Sequence, residues 1–353
     1  MSWKLWLAYR FFPVVPPFHF LFVPSFIHLV LFVFSLAALL ALFLFPSNKV
    51  LQVSVIAIEI LSCLLDQNRW QPWEYQYIFI ILAMFINYKN EQYAVSVIIF
   101  IFVTVYFFSG IGKMNPAFSQ NIQHEIARSR IFKESNSYLY NLLIYHMGYF
   151  TGVIEILLSM GLLFKRTIKI AAFFLVIMHL AILALFGPFG IDYDRIIWPW
   201  NMVMILILYV VFMANPPVSM QVQALKKGWN KLFIVLFGIL PLLNFFGYWD
   251  FFLSSSLFTY KPPEMFICIH NQGSSKVLKS FFNVNRNHSL CDSNSVLLDV
   301  RAWSFKEMQV PAYPEIRVYK SIKEQLLKQY PGMNATFTVY PYINGRKKRI
   351  ELN

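Results

Sequence analysis

The sequence predicts an all-α polytopic membrane bundle of about eight transmembrane helices, followed by a small C-terminal α+β extramembrane domain. Three observations carry this expectation. Of 353 residues, 58% are hydrophobic and 13% charged, roughly half the charge of an ordinary soluble domain. Apolar runs recur from Phe26 to Gly247, each close to the ~20 residues that a bilayer requires. After Tyr248 the chain turns polar, with short β-rich pieces between Gly, Asn, Ser and Pro clusters. The apolar runs lack the alternation of barrel strands, and lipid admits only helices or closed barrels.

Residues 1–25 carry Pro13, Pro16, Pro17 and Pro24, which rules out one continuous helix. They read as an interfacial or re-entrant segment with Trp3, Trp6 and Tyr9 at headgroup level. No small-residue cleavage site follows a clean apolar core, so the segment does not read as a signal peptide. The bundle spans residues 26–247. Its expected helices are about Phe26–Phe45, Lys49–Leu65, Glu74–Tyr88, Tyr93–Ser109, Tyr138–Phe164, Thr167–Phe186, Arg195–Ala214 and Lys231–Gly247. A polar amphipathic connection covers about Gly110–Ser137. The tail, residues 248–353, is expected to hold strands near Met265–His270, Ser295–Val300 and Ala335–Ile343, with a helix near Tyr319–Gln329.

Loop charges suggest the topology. The turns at Lys49, Lys89-Asn90-Glu91, Lys165-Arg166 and Lys226-Lys227 are short and almost purely basic, which makes that face cytoplasmic. The protein is then a multi-pass membrane protein with its tail extracytoplasmic, on the Lys113 side. The net charge of +13 points to contact with anionic membrane lipid and not to nucleic acid. Cys63 lies in an apolar run and reads as a small core residue. Cys268 and Cys291 could pair as a disulfide if the tail is extracytoplasmic and would be reduced in the cytoplasm. No Cys/His metal spacing appears.

The stretch Tyr106–Phe118, YFFSGIGKMNPAF, is the strongest local signal. Its single lysine, Lys113, stands where an apolar helix leaves the bilayer. Gly110 and Gly112 permit close approach of backbone or ligand, and Tyr106, Phe107, Phe108 and Phe118 are placed to wall in the ammonium. The plainer reading is an interfacial lysine that snorkels to water. The loop Asp66–Glu74 adds Asp66, Arg69, Trp70 and Trp73 on the same face: a polar-aromatic wall, or a belt with a local Asp66–Arg69 pair. Glu59, His146, Glu155 and His179 sit inside apolar runs, where ionisable groups pair or mark a site. Glu155 and His179, on neighbouring helices, could form a buried hydrogen-bonded pair. The seventh helix opens with Asp192, Asp194, Arg195, Trp198, Pro199 and Asn201. Asp194 can cap it, Pro199 frees backbone carbonyls, and Asn201 can satisfy such groups. This layout suits an amphipathic, ring-containing ligand entering from lipid. Walker A, HExxH and GxSxG signatures are missing from the sequence.

The run Tyr106-Phe107-Phe108-Ser109-Gly110-Ile111-Gly112-Lys113-Met114-Asn115, with Phe118, resembles the catalytic-lysine motif of the vitamin K-dependent gamma-glutamyl carboxylases. Those belong to the wider group of horizontally transferred transmembrane (HTTM) domains. Asp66 to Trp70 with Tyr75 and Tyr77 looks like that family's loop between its second and third helices. Glu155-Ile156-Leu157-Leu158 through Thr167, and His179-Leu180, look like its following helices. The likeness covers roughly residues 26–250. It implies that Lys113 is the weak base that deprotonates vitamin K hydroquinone or a menaquinol. Oxygenation of the quinol then yields the strong base that takes a γ-proton from a peptide Glu, and carbon dioxide adds. A neutral lysine is needed, which an apolar site favours. Two departures stand out. Trp73 occupies the position of the family's loop histidine, and a tail of about 100 residues replaces the large substrate-binding region.

The leading expectation is therefore an HTTM-like membrane protein related to the gamma-carboxylases that binds a lipophilic quinone or quinol near Lys113; the resemblance also admits a carboxylase or quinol-epoxidase-like lyase activity. Asp66, Arg69, Trp73, Glu155, His179, Arg195, Trp198 and Asn201 are the candidate supporting residues. The rival is a non-enzymatic module that binds a peptide or protein partner through its tail and Trp-rich loops, with Lys113 paired to an acid such as Asp66. An organic-anion transporter using Arg69, Lys113 and Arg195 is a third reading. A closed aromatic pocket beside Lys113 would favour the first. A salt-bridged Lys113 without a cavity would favour the second.

Overall fold

A computed structural model describes residues 2–121, 138–187, 196–213, 219–256, 259–270, 290–292, 295–343 and 346–352. Its helices, in chain order, are α1 (Trp3–Trp6), α2 (Ser25–Leu44), α3 (Lys49–Leu65), α4 (Pro72–Ile86), α5 (Glu91–Lys113), α6 (Tyr138–Gly161), α7 (Ile168–Phe186), α8 (Ile197–Met213), α9 (Val222–Lys226), α10 (Gly228–Phe246), α11 (Val300–Met308) and α12 (Ile316–Gln329). The strands are β1 (Glu264–Ile269), β2 (Val296–Asp299), β3 (Ala335–Tyr340), β4 (Tyr342–Ile343), β5 (Arg346–Lys347) and β6 (Ile350–Glu351).

The protein is mostly helical, with a small C-terminal sheet region. Among the described residues, four helices, α2, α5, α7 and α10, are long and apolar enough to cross a membrane, not the eight expected. For α3, α4 and α8 the difference lies in length. The helix α4 has 15 residues, about 22 Å at 1.5 Å per residue, against a hydrocarbon core of ~30 Å. Pro72 sets its start, and Asn87 follows its last residue. The helix α3 has 17 residues with Glu59 among them. The apolar helix α8 is also short, and ends in a π-helical turn, Tyr209–Met213.

The chain forms two compact units, and their bounds differ from those expected. One comprises Met1–Phe43, Ala57–Gln71 and Pro262–Asn353; the other comprises Leu44–Ile56 and Pro72–Lys261. The expected boundary at residue 248 thus moves to 262. Residues 1–25 fall in the same unit as the tail.

In the first unit the sheet has the order β2-β1-β3-β6, all pairs antiparallel. The register sets Ile267 opposite Leu298 and Phe337. Alternation puts Met265, Ile267 and Ile269 on one buried face. The strongly amphipathic α12 turns Val318, Ile322 and Leu326 inward. The helix α11, unforeseen in the sequence, starts on an Asp299 cap that accepts from Ala302 N at 3.0 Å. Its Trp303 is fully buried 4.7 Å from the Phe12 ring. Glu307 on the same helix accepts from Phe11 N (2.6 Å), Phe12 N (2.9 Å) and Trp303 Nε1 (2.9 Å). Proline breaks leave those N-terminal amides without helical partners, and one carboxylate satisfies two of them. Cys268 and Cys291 form a disulfide.

In the second unit α5 is the central helix. Ile99, Phe102 and Tyr106 pack with Leu162, Leu175, Met204, Leu208 and Phe212 in one buried cluster. Asn87 and Asn230 exchange paired amide bonds, both 2.8 Å. Two buried amides thereby satisfy each other where neither could meet water.

Candidate functional site

The site is built from the last turns of α5 outward. The helix runs on past Ser109, so Lys113 is its final residue and not part of a loop. A helical Cα–Cβ bond tilts toward the N-terminus. Lys113 accordingly folds back along its own helix and pairs with Glu155 of α6. It does not snorkel outward: its side chain is 12% exposed, and that of Glu155 is 3% exposed. Two glycines make the pairing feasible. A Cβ on Gly110 would lie 2.7 Å from Gly152 O, and a Cβ on Gly152 would lie 2.7 Å from Gly110 O. The backbones of α5 and α6 therefore touch, one turn before each charged residue. Asn115 closes the helix end by donating to Gly112 O (2.7 Å) and Thr259 O (3.0 Å), while accepting from Phe118 N (2.9 Å).

A second polar chain lies deeper. Asn201 Nδ2 donates to Ile197 O at 2.7 Å, and its Oδ1 is 2.6 Å from His179 Nδ1. His179 Nε2 is 2.7 Å from the Tyr106 hydroxyl. All three residues are buried. The carbonyl that Pro199 leaves without a helical donor is that of residue 195, outside the described residues; Asn201 bonds instead to Ile197 O, one turn before it.

Lys113, Glu155, Tyr106, His179 and Asn201 line one cavity of about 370 Å³, entirely within the second unit. Gln76, Trp200, Ser109, Thr151, Ser255 and Tyr260 add polar edges; Phe118, Met178, Leu185, Phe186, Met204 and Phe237 supply apolar wall. Trp200 Nε1 donates to Gln76 Oε1 at 3.4 Å. The arrangement can take a ring or chain into the apolar part while holding an oxygen near the lysine–carboxylate pair. A cavity of this size falls within the ~300–1,000 Å³ of small-molecule sites.

Several expected residues lie elsewhere. Lys113 pairs with Glu155, not Asp66, and Glu155 and His179 do not bond each other. Asp66 and Arg69 belong to the first unit and do not line the cavity. There Asp66 pairs with Arg10 and accepts from Val15 N (3.3 Å), Asn68 N (3.2 Å) and Asn68 Nδ2 (3.0 Å). Arg69 donates to Leu5 O (3.1 Å), Ser62 O (2.9 Å) and Trp6 O (2.8 Å), and meets His28 Nδ1 at 2.9 Å. Burial raises the Asp66 pKa, but Arg10 and then Arg69 outweigh it and hold the carboxyl below its ordinary value. Burial draws Arg69 down to about 10 against the pull of Asp66.

Glu59 pairs with Ser35 of α2, and His146 is exposed on α6. Trp73 is half-buried beside Tyr77 and Trp198 is half-buried; neither lines the cavity. Asp192, Asp194 and Arg195 lie outside the described residues. Gln76 and Tyr260 escaped notice in the sequence. Gln76 had a signal: the single amide of its helix, one turn after Pro72 and just before the apolar run Ile78–Ile86. Tyr260 had none, since only the chain's return from α10 brings it to Phe118, 6.2 Å away.

Neither protein-family models, curated proteins nor solved structures give a match to the chain.

Proposed function

We propose that this is an integral membrane protein that binds a lipophilic ligand of the quinone/quinol class beside Lys113. The observation that carries this reading is the 370 Å³ apolar cavity holding a buried Lys113–Glu155 pair. A purely structural pair is best made without adjoining space, since voids forfeit packing. The residues fit such a ligand. Phe118, Phe186 and Phe237 offer ring faces, and Lys113, Glu155 and Tyr106 offer groups for its oxygens. The resemblance of the Lys113 stretch to the gamma-carboxylase motif supports the same choice.

A bound quinol supplies an exchangeable hydroxyl proton and the electrons for reaction with oxygen. The chain's own groups handle the proton. Glu155 accepts the Lys113 proton, and the resulting amine takes one from the ligand hydroxyl, so the cavity gains no net charge. Peptide carboxylation is not part of the reading. It needs a group to stabilise a carbanion, and Trp73 at the family's histidine position supplies none.

In this reading the long apolar helices α2, α5, α7 and α10 cross the membrane. The Cys268–Cys291 disulfide favours an extracytoplasmic tail.

The test uses purified protein in lipid nanodiscs, given menaquinol under oxygen, with quinone epoxide as product. Wild type is expected to form epoxide and Lys113→Ala to lose at least ~100-fold, in line with removal of a general base. Saturable menaquinone binding without epoxide would leave a binding protein and overturn the enzymatic step. Neither binding nor epoxide would overturn the proposal.

A further inference from the structure

The Asn201–His179–Tyr106 chain has a fixed direction, and that direction has a consequence for the ligand. The carbonyl of Ile197 can only accept, so the atom of Asn201 facing it at 2.7 Å is the amide nitrogen. The other end of the same amide, Oδ1, can only accept, so His179 Nδ1 carries the hydrogen across the 2.6 Å contact. In a neutral imidazole the opposite nitrogen then has no hydrogen. His179 Nε2 accepts, and the Tyr106 hydroxyl must spend its one hydrogen on it, at 2.7 Å. Tyr106 is 2% exposed and lines the cavity with His179. What its oxygen has left for a ligand is lone pairs.

We infer that Tyr106 is a specificity-determining residue that accepts a hydrogen bond from a ligand hydroxyl, with His179 and Asn201 as positioning residues that hold it in the accepting state. This deepens the ligand reading above and rests on it. A hydroxyl on the ligand finds a partner at this wall. A carbonyl or ether oxygen at the same place meets lone pairs with lone pairs. Such a site penalises an analogue that leaves its buried group unpaired more than it rewards a fit.

The experiment compares three probes of one ring: 1,4-dihydroxy-2-methylnaphthalene, its quinone, and its 1,4-dimethoxy ether. Affinities are measured by anaerobic calorimetry on the full chain in nanodiscs. For wild type the diol is expected to bind about tenfold more tightly than the ether, the scale of one hydrogen bond in a desolvated site. In Tyr106→Phe that ratio is expected to fall to near one. In Asn201→Leu, which frees the imidazole to turn its tautomer, the ratio is expected to fall as well. A general loss of packing would lower all three affinities together and leave the ratio standing. Equal binding of diol and ether by wild type overturns this inference while the ligand site stands. So does a diol preference that survives in Tyr106→Phe. Failure of all three probes to bind overturns both the inference and the ligand reading.

Discussion

Two buried polar clusters, one in each unit, look alike as residue lists and differ in what surrounds them. The first holds Arg10, Asp66, Asn68 and Arg69. Its charged groups are fully enclosed, and their donors and acceptors meet protein: Asp66 takes Arg10 and three further bonds, and Arg69 reaches three carbonyls and His28. The second holds Lys113, Glu155, Tyr106, His179 and Asn201, and has space beside it. Of the first cluster only Arg10 borders a cavity, of about 350 Å³, and its side chain is fully enclosed. Saturated, enclosed charges are a joint, whereas a lysine–carboxylate pair left partly open to an apolar cavity can meet a ligand. The contrast teaches that charge within an apolar chain marks importance without marking a site.

The largest expected effect separates the two directly. Asp66→Ala strands Arg10 and Arg69 inside the first unit. Removing one partner of a buried pair costs roughly 3–5 kcal/mol, and here two cations lose their counterion. Thermal unfolding in nanodiscs should show a marked drop. Probe binding by the fraction that remains folded should persist, because Asp66 does not line the cavity. Loss of probe binding at unchanged stability would erase the distinction drawn above.

This distinction was only partly legible in the sequence. The helices α2 and α7 could be read from their long apolar runs, whose expected bounds agree with the structure to within one residue. The Lys113 stretch stood out as one cation after a Gly pair, and Glu155 and His179 as ionisable groups in apolar surroundings. Their partners were not legible. Pairing across helices depends on rotation and depth, which periodicity fixes only loosely, so Glu155 was given to His179 when it serves Lys113. Asp66, Arg69 and Trp73 share one loop in the sequence, and loop membership alone places them at the ligand. Nothing local says that residues 1–15 fold in to absorb the first two. The helix α11 was missed because VRAWSFKEM mixes apolar and charged residues without a clear stripe; tertiary burial of Trp303 and Met308 decides it.

A smaller effect sharpens the second cluster. Gly152→Ala places a methyl 2.7 Å from Gly110 O, a rigid backbone atom. The helices α5 and α6 must part by several tenths of an ångström, and overpacking of this kind costs roughly 1–3 kcal/mol. Because Lys113 and Glu155 sit one turn away, probe affinity should fall along with the melting temperature. Gly238→Ala is the control. Its nearest neighbour would be Phe100 Cζ at 3.4 Å, the tip of a side chain that can yield. Equal behaviour of the two variants would show that the close backbone approach does not set the site.

The smallest effect concerns pH and belongs to the first cluster alone. Arg10 and Arg69 outweigh burial and hold the Asp66 carboxyl below the ordinary ~3.9 of an unfolded aspartate. The folded state therefore binds the proton less readily than the unfolded one. The stability this contributes is complete above pH ~4 and is lost as pH falls from there through the folded-state value. Each pH unit in that window removes about 1.4 kcal/mol. Acid titration of unfolding should show this slope in wild type and a shallower one in Asp66→Asn, with no difference between them near neutrality in slope against pH. A slope that survives in Asp66→Asn would place the acid sensitivity on other carboxylates. The charge of Asp66 would then be irrelevant to the joint, and the saturation argument would have to rest on its hydrogen bonds alone.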